Sequence, residues 1–170
     1  MKIPIKKLKE KIETNKQRFS DAGLNGNFFI DIYRSQPLEP ELYELYPLPA
    51  IFIDYTMQGS GLKQPRLVTL TLHIVTDNTA EISNISQFYE EGLQRFMYNS
   101  LIQEILEGCR LGKTTPLRFI AEAPVDTEVV NYHTQTYEFD MRLHDMMEDR
   151  LPMEADLDSL NIDSMLKNKL

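Results

Sequence analysis

The sequence predicts an α+β protein, a single mostly antiparallel β-sheet of about four to five strands with helices packed on one face. Residues 66–76 alternate between apolar and mostly polar side chains, the period of a strand with one buried face. Residues 132–143 alternate in the same way, and an apolar stripe with helical spacing lies between the two strands. We therefore expect one sheet face on the core and the other available to a partner.

The N-terminal part of the chain predicts a helix and two strands. Apolar residues recur at helical spacing over 3–19 with lysines between them, which indicates an amphipathic helix. Residues 21–27 contain two glycines and two asparagines and predict a turn, and a short apolar strand follows at 28–33. Four prolines at 37–49 indicate an irregular connection, after which 50–56 forms the second strand.

The central part of the chain predicts a loop, a long helical stretch and a strand. Residues 59–65 form the loop, which begins Gly-Ser-Gly. Helical spacing of apolar residues extends over 79–108, and Asn99 and Ser100 are a candidate division of this stretch into two helices. The strand at 117–123 places four side chains on one face: Leu117, Phe119, Ala121 and Ala123.

Strand parity assigns residues to the two faces of the predicted sheet. On the last strand, six side chains share the core-facing parity: His133, Gln135, Tyr137, Phe139, Met141 and Leu143. Six share the solvent-facing parity: Tyr132, Thr134, Thr136, Glu138, Asp140 and Arg142. On the strand at 66–76, the solvent-facing side receives Thr69, Thr71 and His73.

The chain predicts one domain with a short extension. Residues 1–145 hold every well-defined helix and strand and are long enough to bury one core. Residues 146–170 contain no aromatic residue and many acids, so we expect a flexible acidic extension. No apolar run approaches the roughly 20 residues needed to cross a bilayer, and the N-terminal residues predict no secretory signal.

Charge is distributed unevenly along a chain whose formal net charge is −8. Residues 1–20 carry seven Lys or Arg and two Glu, whereas residues 144–170 carry seven Asp or Glu and three Lys or Arg. An acidic body opposes the approach of phosphates, so we expect no specific nucleic-acid partner. The basic N-terminus is either the solvated face of a helix or a contact for an acidic neighbour.

The sequence contains no recognisable catalytic motif, so we predict no catalytic residues, no metal ligands and no cofactor. His73, His133 and His144 have no accompanying Ser, Asp or metal-ligand spacing, which favours structural or solvated roles for all three. Cys109 is the single cysteine, which excludes an internal disulfide and favours a small packed residue over a nucleophile.

An alternative hypothesis is a small metal-dependent hydrolase. Asp31 and Asp54 fall on neighbouring predicted strands, and paired carboxylates can bind a metal or perform acid–base chemistry. The hypothesis requires these two side chains, or one of them with His73, to converge in one pocket. Each aspartate is equally explained as an outward residue beside inward isoleucines.

The order of the predicted elements resembles that of the tail-terminator and tail-completion (minor tail) proteins of long-tailed bacteriophages and prophages. The likeness is carried by the strand at 49–54, the loop to Pro65 and the strand at 67–75. It continues through residues 77–82 into the helix and then into the two strands that end at 137–142. Two features depart from the family pattern: the long helical stretch and the acidic extension.

The resemblance, which covers about residues 1–145, implies a structural protein of virion assembly and not an enzyme. Such proteins form a ring, usually a hexamer, on the end of the tail tube, where the ring stops tube polymerisation and offers a surface to the head connector. The implied partners are further copies of the chain, the tail-tube protein and the head–tail connector protein, with no membrane. The implied location is the virion tail, after assembly in the bacterial host cytoplasm.

The residues expected at an interface are those of the solvent-facing parity and of the adjoining loop. They are Thr69, Thr71, His73, Thr134, Thr136, Glu138 and Lys63. We expect each to face either solvent or an adjoining subunit. A monomeric protein-binding adaptor is the remaining alternative, since it requires the same fold and differs only in its partner.

Overall fold

The structure is a computed structural model that describes residues 1–39, 45–59, 61, 64–77, 83–127 and 130–146. The described part contains three α-helices and five strands in one domain. The helices are α1 (Lys2–Thr14), α2 (Lys16–Asp21) and α3 (Tyr89–Leu106). The strands are β1 (Phe29–Ile32), β2 (Ala50–Gln58), β3 (Arg66–Thr76), β4 (Arg118–Val125) and β5 (Asn131–Met141). A 3-10 turn, Leu143–Met146, follows β5.

The five strands form one mixed sheet in the order β1-β2-β3-β5-β4. The pairs β2–β3, β3–β5 and β4–β5 are antiparallel, and β1 pairs with β2 in parallel. The predicted α+β class, with its mostly antiparallel sheet, is therefore confirmed. β3 lies at the centre of the sheet, whereas β1 and β4 are its two edges.

The main core lies between one face of the sheet and the helices. Apolar side chains of α1, α2 and α3 pack there against alternate residues of β2, β3 and β5. Parity predicted the β3 contribution correctly, since four alternating residues are buried: Val68, Leu70, Leu72 and Ile74. Phe19 of α2 completes the core by contacting the rings of Phe28 and Tyr98. Burial of this apolar surface is the main stabilising term of the fold.

Among the described residues, a second apolar cluster covers one end of the opposite face of the sheet. This cluster consists of Ala50, Phe52, Val75 and Tyr132. Tyr33, Tyr46 and Leu48, from the described parts of the β1–β2 connection, pack onto it. The prediction that His73 and Tyr132 face solvent was therefore wrong, because both are buried beneath this connection. Parity assigned the correct face, but it carries no information about what covers that face.

A β-bulge reverses the predicted facing of β4. Phe119 pairs with Tyr137 and Ala121 pairs with Thr136, so one extra residue, Ile120, lies between two consecutive pairs. An extra residue shifts every later side chain to the other face of the strand. The prediction that Ala121 and Ala123 share a face with Phe119 was therefore wrong, and Glu122 takes that face instead.

Three helical predictions also changed. The helix predicted at 3–19 is interrupted at Asn15, which separates α1 from α2. The stretch predicted at 79–108 becomes helical only at Tyr89, and residues 78–82 lie outside the described part of the chain. Asn99 and Ser100 do not divide α3: Asn99 is buried with its side chain bonded to β4, and the Ser100 hydroxyl donates to the Phe96 carbonyl within the helix.

The end of the described chain packs against the core. Met146, in the 3-10 turn, is buried with the core residues, and this turn contacts α1. Leu143 was predicted to face the core but is exposed, because β5 ends at Met141 and the turn changes the direction of the chain. Residues 147–170, which hold nearly all of the predicted acidic extension, lie outside the described residues.

Candidate functional site

Two neighbouring rows of side chains cross the sheet on the face opposite the helices, beyond the aromatic cluster. From β2 to β4, the first row consists of Asp54, Thr71, Thr136 and Ala121. The second row consists of Thr56, Thr69, Glu138 and Arg118. Residues directly opposite each other on paired strands share a face. We call these eight residues the polar face.

The polar face presents hydroxyl groups and two carboxylates. Thr69, Thr71 and Thr136 are half-buried by their neighbours, and each hydroxyl can donate one hydrogen bond and accept others. Nη2 of Arg118 lies 2.7 Å from Oε2 of Glu138, a cross-strand ion pair at the β4 edge. These groups can recognise a polar protein surface by hydrogen bonds.

The structure brings together five of the seven predicted interface residues. Thr69, Thr71, Thr136 and Glu138 belong to the polar face, and Thr134 lies on the same face in the next row. His73 shares the face but is buried beneath the β1–β2 connection. Lys63 lies outside the described residues. The placement of the five described residues on one face of the sheet follows from the structure, and their contact with a partner stays a prediction.

His73 is held between two tyrosines at the covered end of this face. The Tyr33 ring stacks on the imidazole with a centroid separation of 3.7 Å and an interplanar angle of 3°. Nδ1 of His73 is hydrogen-bonded to the Tyr132 hydroxyl. Only 8% of His73 is exposed, and burial lowers its pKa from 6.5 to about 4, although the nearby Asp54 carboxylate acts in the opposite direction. The imidazole is therefore neutral at pH 7.

This histidine predicts an acid-sensitive fold. The unfolded chain binds a proton at His73 below about pH 6.5, whereas the folded chain binds this proton only near pH 4. The contribution of the neutral His73 to stability is therefore complete above pH 6.5 and is lost as the pH falls towards 4. We expect the free energy of unfolding to decrease by about 2 kcal/mol across this window. Urea denaturation at a series of pH values measures the change.

The matched variant is His73→Gln, which keeps a polar side chain of similar size without a titration in this range. Its unfolding free energy should fall less steeply between pH 6.5 and 4 than that of the native chain. Some slope remains, because burial also lowers the pKa of His133. Equal slopes in the native chain and the variant would contradict the assignment to His73.

A network of polar side chains connects the edge strand β4 to helix α3 on the core side of the sheet. The buried Gln135 amide donates to the Asn99 carbonyl at 2.8 Å and to Oε2 of Glu122 at 2.8 Å. Nδ2 of Asn99 donates to Oε1 of the same carboxylate at 3.0 Å, and the Tyr137 hydroxyl donates to Oε1 of Gln135 at 2.9 Å. Burial is the main cause of the raised pKa of Tyr137. This network fixes β4 against the helix layer, because its buried members, Gln135, Asn99 and Tyr137, would each be costly to leave without a partner.

Sequence reasoning missed Glu122, because the alternation of 117–123 placed it on the solvent side. The bulge at Ile120 turns it towards Gln135 and Asn99. His133 lies beside this network, with its Nδ1 3.6 Å from Oε1 of Glu122. It is on the face of β5 that its parity predicted, the face towards the core. An isoleucine does not indicate a bulge, so the bulge at Ile120 could not be predicted from the sequence. The network, which depends on this bulge, was missed for the same reason.

The residues of the hydrolase hypothesis lie on the same face of the sheet, but each has its own contacts. Asp31 pairs with Arg34, whose Nη2 lies 2.8 Å from Oδ2. Asp54 accepts the Tyr55 amide at 2.7 Å, and His73 bonds to Tyr132. Within the described ranges, no group of three or more His, Cys, Asp or Glu side chains is placed to share a metal ion.

Large apolar side chains are exposed at both edges of the sheet. On the β1 side, Ile32 is 40% exposed, and Leu38 of the following connection is also exposed. On the β4 side, Ile120 is 45% exposed at the bulge, and Phe96 of α3, which is also exposed, contacts His133 of the neighbouring strand β5. We call these sets the β1 edge and the β4 edge. The two differ in strand direction, length and side chains, so they are two different surfaces.

Comparison of the chain with protein-family models and with curated protein sequences finds no match. Within the part of the chain that the structure describes, no helix has the length and apolar content to cross a membrane.

Proposed function

We propose that this chain is a structural virion-assembly protein that forms a homo-oligomeric ring, caps the phage tail tube and joins it to the head connector. The observation that carries the proposal is the pair of unlike sheet edges, each bordered by exposed apolar side chains. The order of the elements, which resembles that of tail-terminator proteins, supports the choice of assembly. The proposed role requires no bond to be made or broken.

Unlike edges favour a ring over a two-fold dimer. A two-fold interface uses the same surface on both copies, whereas a head-to-tail interface joins two different surfaces and closes when the rotation closes. The β1 edge and the β4 edge lie at opposite ends of the strand order. Contact of one with the other in the next copy would cover Ile32 and Ile120 and pair strand edges that are otherwise free to associate.

The polar face suits the second part of the role, contact with the tail-tube and connector proteins. It would remain available after the edges are used, because it lies on a surface of the sheet and not at its ends. Threonine hydroxyls and the Arg118–Glu138 pair offer hydrogen bonds and charge to a partner. The affinity of an interface is not set by its buried area and apolar content alone. A polar surface of this kind is therefore compatible with reversible capping of a tube.

The oligomeric state tests the proposal directly. Mass photometry and small-angle scattering over a concentration series should show a closed ring with a single preferred number of copies, and addition of the purified chain should stop the growth of tail tubes. A strictly monomeric protein at every concentration, without effect on tube growth, would contradict the proposal and favour the monomeric adaptor.

A further inference from the structure

We propose that the acidic segment 147–170 binds, within the same chain, to a basic surface formed by Lys11, Arg110, Lys113 and Arg142. The inference does not depend on the proposed ring, since it concerns a contact within one chain, near the 3-10 turn. We call these four residues the basic surface.

The basic surface is assembled from three parts of the fold. The α3–β4 loop lies against α1, because a methyl group placed on Gly112 would be 3.0 Å from Cγ2 of Ile3. Further along this contact, the Lys11 ammonium lies near the Cys109 thiol, whose pKa is raised by burial and lowered by that charge. The loop therefore brings its own cations, Arg110 and Lys113, beside the helix.

Three of the four cations share one pocket. Arg110, Lys113 and Arg142 line a cavity of about 260 Å³ together with Pro65, Thr114, Thr115, Asp140, Met141 and Asp145. The loop is held in shape by the Arg110 guanidinium, which donates to the Thr114 carbonyl at 3.1 Å, and by the Leu111 amide, which donates to Oγ1 of Thr114 at 3.0 Å. A preformed loop costs little further ordering when a ligand binds.

Two carboxylates of the described chain, Asp140 and Asp145, also line this pocket. Oδ1 of Asp145 lies 3.5 Å from Nζ of Lys113 and 3.2 Å from Nε2 of His144, so its charge is shared between two partners. Asp140 is exposed at the end of β5. Among the described lining residues, three cations therefore accompany two carboxylates. An anionic group can therefore be accommodated there.

The course of the chain identifies the occupant. The last described residue, Met146, is buried, and its 3-10 turn contacts α1, so segment 147–170 begins next to the basic surface. The segment carries six Asp or Glu and three Lys or Arg. Its 24 residues span up to roughly 80 Å when extended, far more than the distance along α1. A short tether gives an effective concentration on the order of millimolar, so weak ion pairs suffice for binding within the chain.

The test is a four-variant cycle read by hydrogen exchange in the full-length chain. The surface variant combines Lys113→Gln and Arg142→Gln and keeps Arg110, whose bond to the Thr114 carbonyl shapes the loop. The segment variant combines Glu148→Gln, Asp149→Asn, Glu154→Gln and Asp156→Asn. The amides of Leu111 and Leu117 report on the loop, since each is hydrogen-bonded within it, and the amide of Thr115 reports on the contact of the loop with the Asp140 carbonyl.

We expect the segment variant to exchange these amides about threefold faster than the native chain at low salt. The surface variant should be at least as fast, and combining both sets should add nothing further, because either set alone removes the same contact. A control with Lys9→Gln and Lys16→Gln loses as many cations on other faces of the helices and should respond to the segment variant as the native chain does.

Three results would overturn the inference. The first is an unchanged exchange rate in the segment variant, and the second is full additivity of the two sets of substitutions. The third is protection that increases with protein concentration, which would show that the segment binds a second copy and not its own chain.

Discussion

The substitution Ile120→Lys is expected to prevent ring formation at concentrations where the native chain forms rings. Ile120 is the exposed apolar residue at the bulge of the β4 edge, and a lysine there would place a charge in a contact that excludes water. The fold should survive, since the side chain is largely exposed in the single chain. Mass photometry should show monomers, with circular dichroism and thermal midpoint close to those of the native chain.

A second variant reveals whether the interface joins unlike surfaces. Ile32→Lys alters the β1 edge and should also give monomers when alone. A mixture of the two variants retains one intact interface, the native β1 edge of the first with the native β4 edge of the second. We therefore expect pairs in the mixture but no rings. Monomers only in the mixture would indicate that the edges do not contact each other.

The control for both variants is Ser20→Lys, which adds the same charge at an exposed position of α2. It should form rings as the native chain does. Loss of rings in this control would show that added charge, and not its position, disrupts assembly.

Truncation of Gln135 is expected to have the largest effect on stability among the polar residues of the described chain. Gln135→Ala removes the amide that joins Asn99, Glu122 and Tyr137, and it leaves a cavity in the interior. Buried groups that lose a partner cost free energy in addition to the lost packing. We expect the free energy of unfolding to decrease by about 3 kcal/mol, measured by urea denaturation of the monomeric chain.

Two further substitutions separate the contributions to this effect. Gln135→Met keeps most of the volume but makes no hydrogen bond, so its cost reports the polar part alone. Gln17→Ala removes an exposed glutamine that donates to Asp21 on α2, and its effect should stay within about 0.5 kcal/mol. A cost of Gln135→Ala no larger than that of Gln17→Ala would contradict the network.

Local pattern was sufficient to predict the central strands. β3 and β5 alternate over eleven residues each, so the two faces of β3 and the Gln135, Tyr137, Phe139 and Met141 face of β5 were assigned correctly. The start of α3 was not predicted correctly, since Ile85 continues the apolar pattern of the helix without being helical. Periodicity therefore located the elements better than it located their ends.

Tertiary contacts account for the remaining differences between the predicted and the observed environments of side chains. His73 is buried because tyrosines from a distant connection pack over it, and no residue near it in the sequence indicates this. Glu122 turns towards Gln135 and Asn99 because a bulge two residues earlier changes the register. The polar face was predicted from parity, whereas the exposed apolar edges depend on which strands have only one neighbour, a property of the strand order.

The strand order has a consequence for how the chain folds during synthesis. The central strand β3 pairs on one side with β5, whose residues follow it by 55 to 75 positions, as in Thr76 with Asn131 and Arg66 with Met141. β4 is made before β5 but pairs only with β5, so it has no neighbour in the sheet until almost the whole described chain has emerged from the ribosome. Non-local pairing of this kind slows folding and leaves strand edges open to association with other chains. We therefore expect nascent chains that stop before β5 to bind chaperones, and those that extend past Met141 to be released.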